Sequence, residues 1–367
     1  MPLFPSPAAM PRSRRPRDPN PPGDRSGRSA TRAGTAAPPA APDASASYAT
    51  AYHAPVLASA VVDGLVTDRA GVYLDGTLGG GGHSAALLDA LNDGALVVGI
   101  DQDDDALRTA RARLADAEAA GRFRAVKGNF GDLRPLVAAL RQEGLDRPVA
   151  GVLLDLGVSS HQLDDAGRGF AFSASGPLDM RMDASTGESA RDLVARLSAD
   201  ELADVIYQFG EERRSRAVAR AIKGAAPATT GELADAVRSA VPNRDETKAL
   251  ARVFQALRIA VNREMDVLEA VLPAALDVLA PGGRLAVIAY HSLEDRPTKQ
   301  FLRTGRFRAD VEKDFYGNPI TPWALVTRRA VVADADEVAR NPRARSARLR
   351  IAEKLSPPGP SERHPVA

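Results

Sequence analysis

The stretch from Tyr73 to Asp101, YLDGTLGGGGHSAALLDALNDGALVVGID, most restricts what this chain can become. An apolar run, Val72-Tyr73-Leu74, ends in Asp75, and Gly76 and then the glycines Gly79 to Gly82 follow. A helical apolar pattern leads to a second run, Leu96 to Ile100, which ends in Asp101. Strand, glycine turn, helix, strand, acid is the order of a nucleotide-binding βαβ unit. Glycine lets the backbone turn tightly and approach a ligand with no Cβ in the way. An acid at the tip of the second strand is placed to accept hydrogen bonds from ribose hydroxyls. A plain flexible loop is the competing reading of a glycine run, and the flanking strand, helix and second acid argue against it.

The same residues discriminate between nucleotides. A dinucleotide site wants G-x-G-x-x-G, with the pyrophosphate on the helix N-terminus. Counting from Gly79, the last glycine is replaced by Ser84. Asp75 would also place negative charge beside a diphosphate. It suits S-adenosylmethionine, which carries an ammonium and a positive sulfonium. An oxidoreductase using a dinucleotide is the rival from another class, as is a non-catalytic assembly factor with a relic site.

Further β–α units follow. Asp103 can cap a helix with Leu107, Ala110 and Leu114 on one face. A strand at Phe123–Val126 leads to Gly128-Asn129-Phe130, then to a helix with Leu133, Leu136, Val137 and Leu140 as its stripe. Val149 to Leu156 is nearly continuous in apolar residues, as a strand buried on both faces is. Such repeats predict a parallel, doubly wound sheet with ligands beyond the carboxyl ends of its strands. Asp75, Gly79 to Gly82, Asp101, Phe130 and Asp155 all fall at those ends.

The rhythm then changes. Residues 167–246 read as a helical insertion, announced by capping boxes at Ser198–Glu201 and Thr229–Glu232. Between them lies a basic run with Arg213, Arg214, Arg216, Arg220 and Lys223, either a phosphate-facing surface or a solvated helix face. The sheet domain, begun over 48–166, is expected to resume over 247–355. Its first helix holds Leu250, Val253, Phe254, Leu257 and Val261, and Pro273 is expected to kink it or start a new segment. Pro281-Gly282-Gly283 turns the chain into a fifth strand, Arg284–Ala289, delivering Tyr290-His291-Ser292-Leu293-Glu294-Asp295 to the active edge. Strand candidates at 324–332 and 347–351 flank the basic run Arg340 to Ser346, and the basic groups from Arg340 to Arg350, with those from Arg213 to Arg220, are the expected phosphate contacts.

Composition sets limits. The chain has 367 residues and a net charge of +1, so its basic segments are local features. With no cysteine, disulfides, thiolate metal sites and thiol catalysis are excluded. No apolar run approaches the roughly 20 residues that span a bilayer, and no signal-peptide core is present, which suits a cytoplasmic protein. Residues 1–47, rich in Pro, Ala, Ser, Gly and Arg, read as a disordered basic tail, and 356–367 as a second disordered tail. The basic tail is read as a dispensable extension or mis-chosen start in preference to an RNA arm. No histidine–carboxylate cluster has metal-site spacing, and no metal is expected. The sequence leaves monomer and homodimer open.

With these pieces in place, the chain resembles the bacterial 16S rRNA cytosine-N4-methyltransferases, the RsmH (MraW) family. The matching stretches are DGTLGGGGHS, LLDLGVSSHQLDDAGRGFAF, GPLDMRMD, FQALRIAVNRE, YHSLEDR and NPRARSARLR, spread from about His53 to Lys354. The basic N-terminal extension departs from the family pattern, and His161 stands where many members carry proline. The resemblance implies a Rossmann-like class I methyltransferase sheet with a helical insertion and S-adenosylmethionine as methyl donor. It implies, as acceptor, a cytidine of the small-subunit decoding region; another RNA or DNA amino group is the alternative. Carried over by motif, the cofactor contacts are Gly81, Gly82, His83, Asp101, Phe130, Asp155 and Gln162. Gly81 and Gly82 are expected to offer backbone amides to the methionyl carboxylate, and Phe130 a flat face to adenine. Asp155 and His291 are the catalytic candidates. Asp155 lacks the prolines and the aromatic that follow this position in N4- and N6-specific DNA methyltransferases. Capping is the favoured role of Glu294 and Asp295, as loop shaping is of His83.

Overall fold

Alternating apolar residues build a sheet buried on both faces. The computed structural model describes residues 55–308, 313–317 and 320–356. The readings made for residues 1–54 and 357–367 lie outside them. The chain runs α1 (Ala58–Leu65), β1 (Val72–Asp75), α2 (Gly82–Ala90), β2 (Leu96–Asp101), α3 (Asp104–Arg113), α4 (Ala115–Ala119), β3 (Phe123–Lys127), α5 (Leu133–Gln142) and β4 (Val149–Asp155). Successive strand residues face opposite layers. Val72, Leu74, Val98, Ile100, Val152 and Leu154 pack with α5 on one face. Tyr73, Val97 and Leu153 pack with α1 and with Leu107 and Ala110 of α3 on the other.

After the short α6 (Ser160–Asp164), four helices follow without a strand: α7 (Ala190–Arg196), α8 (Ala199–Gly210), α9 (Ser215–Ala225) and α10 (Thr230–Ala240). Both expected capping boxes form, Ser198 with Glu201 and Thr229 with Glu232. A third box, Ser189 with Asp192, starts α7, because Asp can close the loop as Glu does. These helices share a core of their own, with Leu193, Leu202, Ile206, Val218, Ile222 and Leu233 at its centre.

That core corrects the reading of the next helix. In α11 (Glu246–Asn262), Leu250, Val253, Phe254 and Leu257 pack into the helical core and not against the sheet. The break also falls earlier than expected. Arg263 takes a left-handed conformation (φ 51°) that ends α11, while Pro273 lies inside α12 (Glu264–Val278). A left-handed cap ends a helix outright, and no periodicity of apolar residues marks it.

The chain then re-enters the sheet as β5 (Leu279–Ala289), followed by α13 (Ser292–Thr304), β6 (Trp323–Leu325), α14 (Ala335–Arg340) and β7 (Arg348–Lys354). The Pro-Gly-Gly segment becomes an irregularity within β5. Val149 pairs with Leu279, Gly151 already with Arg284, and Gly282 has φ 78°. The strand order is β3-β2-β1-β4-β5-β7-β6. β1 to β5 are parallel, and β7 is antiparallel to both β5 and β6. The chain progresses outward from β1 through β2 to β3, then returns to β4 on the other side. The carboxyl ends of β1 and β4 therefore form the switch point where open α/β sheets bind ligands. Among the described residues, no helix is long and apolar enough to cross a membrane.

Candidate active site

At that switch point lies a cavity of about 360 Å³. Its floor is the ends of β1 and β4, tied together by short bonds. The Gly76 amide donates to the Leu153 carbonyl (2.9 Å), and the Asp155 amide donates to the Thr77 hydroxyl (2.7 Å). Gly79, Gly80, Gly82, His83, Asp101, Phe130, Asp155 and Gln162 all line it. The sequence had placed most of these together from strand-end position alone.

Asp75 and Gly81 are the exceptions. Asp75 is fully buried and does not line the cavity, so it is not placed to meet the cofactor directly. Gly81 already donates its amide to the Leu78 carbonyl at 2.8 Å, so that amide is not free for a carboxylate. With φ 76° it starts α2, and a Cβ there would press on Ala110 and Leu114 of α3. Its glycine identity serves the turn and the packing of α2 on α3, and Gly79 and Gly80 take the lining position instead.

Three carboxylates crowd this end of the sheet. Asp75 is fully buried, accepts from the Ser84 hydroxyl (2.7 Å), and burial raises its pKa above the ordinary value. Asp101 accepts from the Gly79 amide (2.8 Å) and the Asp103 amide (2.9 Å), which shapes the glycine loop around the carboxylate. Burial pushes its carboxyl up to about 6 against the pull of those amides. Asp155 accepts from the Tyr290 hydroxyl at 2.8 Å, and its other oxygen lies 3.7 Å from Nδ1 of His83. Burial pushes it, too, up to about 6, opposed by His83 and the Tyr290 hydroxyl. The His83 tautomer follows from geometry. Nε2 sits 2.9 Å from the Val56 carbonyl, which can only accept, so Nε2 carries a hydrogen and Nδ1 faces Asp155.

Gln162 is on the wall, yet most of its polar capacity is engaged. Its carbonyl oxygen accepts from the Ser159 amide (3.0 Å), and its amide donates to Asp103 (3.0 Å). Arg168 reaches the same Asp103 oxygen at 2.7 Å. Asp103 thus caps α3 and also anchors the loop after β4. Phe130 follows the Asn129 side-chain cap just after β3, packs against the core beneath the sheet and lines the cavity.

His291 lines a different, adjoining cavity. Nε2 lies 3.0 Å from Oε1 of Glu294, whose other oxygen accepts from the Tyr290 amide at 2.8 Å and caps α13. Asp295 makes a two-pronged pair with Arg350 (2.7 and 3.1 Å). Glu264, His291 and Glu294 bring one nitrogen and two carboxylates within 4.8 Å of one another, a grouping their sequence separation hid. Both Glu264 oxygens are held by Arg258 at 2.8 Å, and that guanidinium supplies the positive charge a cation would bring.

Several lining residues escaped the sequence reading. Tyr290 was at the right strand end, and the rule that selected Asp75 and Asp155 could have selected it. Met182 and Arg258 come from the helical layer; Asn341, Arg343 and Ser346 belong to the basic run before β7 expected to meet phosphate, and what the sequence did not place is that run against this cavity. Their contribution depends on long-range packing that no local pattern records.

The residues fit S-adenosylmethionine. A glycine-lined loop beside unpaired carboxylates favours a ligand with cationic centres and disfavours a polyphosphate. The cavity volume is within the ~300–1,000 Å³ of small-ligand sites. Asp101 would hold the ribose, Phe130 the adenine face, and Asp155 the sulfonium end.

The sequence profile of the MraW methylase family matches residues 50–355. The ribosomal RNA small subunit methyltransferase H of Chlorobium luteolum is 51% identical, covering 83% of this chain and 96% of that protein. The proteins of that name from Prosthecochloris aestuarii and Phocaeicola vulgatus are 48% and 44% identical, over 84% and 83% of this chain and 97% of each relative. A match across nearly the whole of each relative places the chain in the MraW methylase family.

Proposed function

We propose that this protein methylates 16S rRNA of the small ribosomal subunit, and that the acceptor is the N4 amine of a cytidine in the decoding region. Methylation of small-subunit RNA with S-adenosylmethionine as donor is supported by the family and by the cavity's charge. The cytidine and its N4 atom rest on the resemblance in motifs. The observation that carries the reading is the convergence of Asp101 and Asp155 on one glycine-lined cavity at the switch point.

When bound, S-adenosylmethionine supplies an electrophilic methyl group on a positively charged sulfur. Transfer forms a carbon–nitrogen bond as the carbon–sulfur bond breaks; the bonding pair stays on sulfur, and the amine then gives up a proton. The amine is a poor nucleophile because its lone pair is delocalised into the ring. Asp155 helps by accepting a hydrogen bond from it, which stabilises the charge developing on nitrogen. The proton becomes acidic only as the bond forms, so a carboxylate of ordinary basicity is enough to receive it. Tyr290 fixes that carboxylate through its hydroxyl, and His83 faces the second oxygen. His291, one residue beyond Tyr290, is a secondary candidate that would act from the adjoining cavity.

A cytosine in a duplex is out of reach, so the base must be splayed out or already single-stranded. The helical layer, residues 167–246, forms the wall opposite the sheet domain in this reading. Arg213, Arg214, Arg216 and Arg220 are exposed there and suit a phosphate backbone.

The test is methyl transfer from labelled S-adenosylmethionine to small subunits lacking the modification, with the RNA digested and its nucleosides identified. Label in N4-methylcytidine, lost with Asp101→Ala, is the expected result. Label in another nucleoside overturns the cytidine assignment, and no label despite cofactor binding overturns the substrate.

A further inference from the structure

A second cavity, about 460 Å³, adjoins the first: Tyr290 and Ser346 line both. It lies between the start of α13, with His291, Asp295 and Arg296, and the chain leading into β7, with Arg345 and Arg348. The two cavities differ in charge. The first is lined by the carboxylates of Asp101 and Asp155 and by Arg113, Arg258 and Arg343, of which Arg258 is held by Glu264 and Arg343 by Asp164. In the second, the one carboxylate, Asp295, is neutralised by its pair with Arg350. Among the described residues, Arg296 has only a long pair with Glu211, 3.7 Å between exposed side chains, which contributes little. Among the described residues, the exposed Arg345 and Arg348 have no carboxylate partner. Guanidinium groups gathered around one concavity repel each other, and the planar fork of each matches a phosphate.

We propose that this second cavity is the acceptor subsite. It takes one single-stranded nucleotide of RNA, with Arg345 and Arg348 on its phosphodiester and the base directed past Tyr290 toward Asp155. The assignment rests on the methyl-transfer reading above and adds the side from which the acceptor arrives. Size supports it, since 460 Å³ is the volume of a small-ligand site and far too small for a duplex. Charge supports it, since Arg345 and Arg348 have no carboxylate partner among the described residues and can attract a polyanion, whereas Arg258 and Arg343 of the first cavity are paired with Glu264 and Asp164. Continuity supports it, since Tyr290 stands at the junction with its hydroxyl on the carboxylate that faces the acceptor amine.

The test uses the full chain with Arg345→Ala and Arg348→Ala combined, beside the combined R345K and R348K variant. S-adenosylmethionine affinity is measured by calorimetry, single-stranded RNA oligonucleotide affinity by fluorescence anisotropy at several salt concentrations, and KM for small subunits by label transfer. The alanine pair is expected to keep its cofactor affinity and to lose about tenfold or more in oligonucleotide affinity. Its salt slope falls by ~0.7, for the one phosphate no longer neutralised, and KM for subunits rises in parallel. The lysine pair, with charge but no fork, falls between. Oligonucleotide affinity, salt slope and KM equal to those of the unsubstituted protein overturn the subsite. So does a loss confined to binding of poly-glutamate, which would make the cavity a site for an acidic protein segment. If the unsubstituted protein binds the oligonucleotide yet transfers no methyl to subunits, the function reading fails, while the binding measurements still decide the subsite.

Discussion

Replacing Tyr290 with Phe removes one hydroxyl and tests whether an ionised Asp155 is the working form. That hydroxyl donates to Asp155 Oδ1 at 2.8 Å and holds down a carboxyl that burial has pushed up to about 6. A hydrogen bond to a charged group is worth about 1.5–3 kcal/mol. At about 1.4 kcal/mol per pKa unit, its loss raises the carboxyl by roughly one to two units, to about 7–8. At pH 7 the ionised fraction then falls from about nine-tenths to between a half and a tenth. The variant is therefore expected to transfer methyl groups about two- to tenfold more slowly at pH 7, yet to approach the unsubstituted rate at pH 9. The assay is kcat against pH with saturating cofactor and subunits, where the acidic limb moves upward by one to two units. A uniform loss at every pH with an unmoved limb would refute the reasoning and leave Tyr290 a packing residue.

The other predictions concern the same carboxylates and the backbone that supports them. Asp155→Asn is expected to abolish transfer and to raise stability at pH 8. A carboxyl lifted from the ordinary 3.8 to about 6 favours the folded state below 3.8 and loses ~3 kcal/mol of that as pH rises through 6. The variant therefore melts higher than the unsubstituted protein at pH 8, and calorimetric scans should show the gap closing toward pH 4; a constant gap would contradict the linkage. Asp101→Ala should weaken S-adenosylmethionine about ten- to a hundredfold in calorimetry, from the charged hydrogen bonds removed, and an unchanged affinity would remove Asp101 from the site. Gly169→Ala, at φ 73° and with a Cβ driven into the Pro177 carbonyl, should cost about 2–5 kcal/mol in urea unfolding. A cost below ~1 kcal/mol would mean that this turn relaxes freely.

The sheet and its ligand-bearing edge were legible because their causes are local. Apolar runs of strand length, an acid at each strand end and glycines between them fix β1, β2 and β4 and bring Asp75, Asp101 and Asp155 to one edge. The capping boxes of α8 and α10 were legible for the same reason. What the sequence hid depends on packing between distant segments. The assignment of α11 to the helical core turns on which layer its apolar face meets, and periodicity records a face without its partner. The end of α11 turns on a left-handed Arg263, a residue type that gives no such signal. Gly81 shows the limit of motif reading. Its position was right, but whether its amide is free depends on a bond to Leu78 that only the folded loop reveals. The basic run from Arg340 to Arg350 was legible as a phosphate-contact candidate, but its closing of a cavity with the start of α13, about fifty residues earlier, was not.

The electrostatics of the edge bear on which rival survives. Burial raises Asp75, Asp101 and Asp155 alike, so each opposes folding in its charged form. Amides and hydroxyls offset part of that cost through Thr77, Ser84, Gly79, Asp103 and Tyr290. Among the described residues, none of the three is ion-paired to a lysine or arginine, so the neutralising charge has to come with a ligand. A dinucleotide would add negative charge where it is least tolerated. A relic site in an assembly factor would bear the same penalty with nothing to offset it, although replacing these carboxylates with apolar groups would stabilise the fold. A cofactor carrying an ammonium and a sulfonium relieves the penalty at the moment of binding. The adjoining arginines do the reverse, drawing a polyanion that the carboxylates repel. On the proposed assignment the two substrates approach from opposite sides of Tyr290, the side chain that lines both cavities and donates to Asp155.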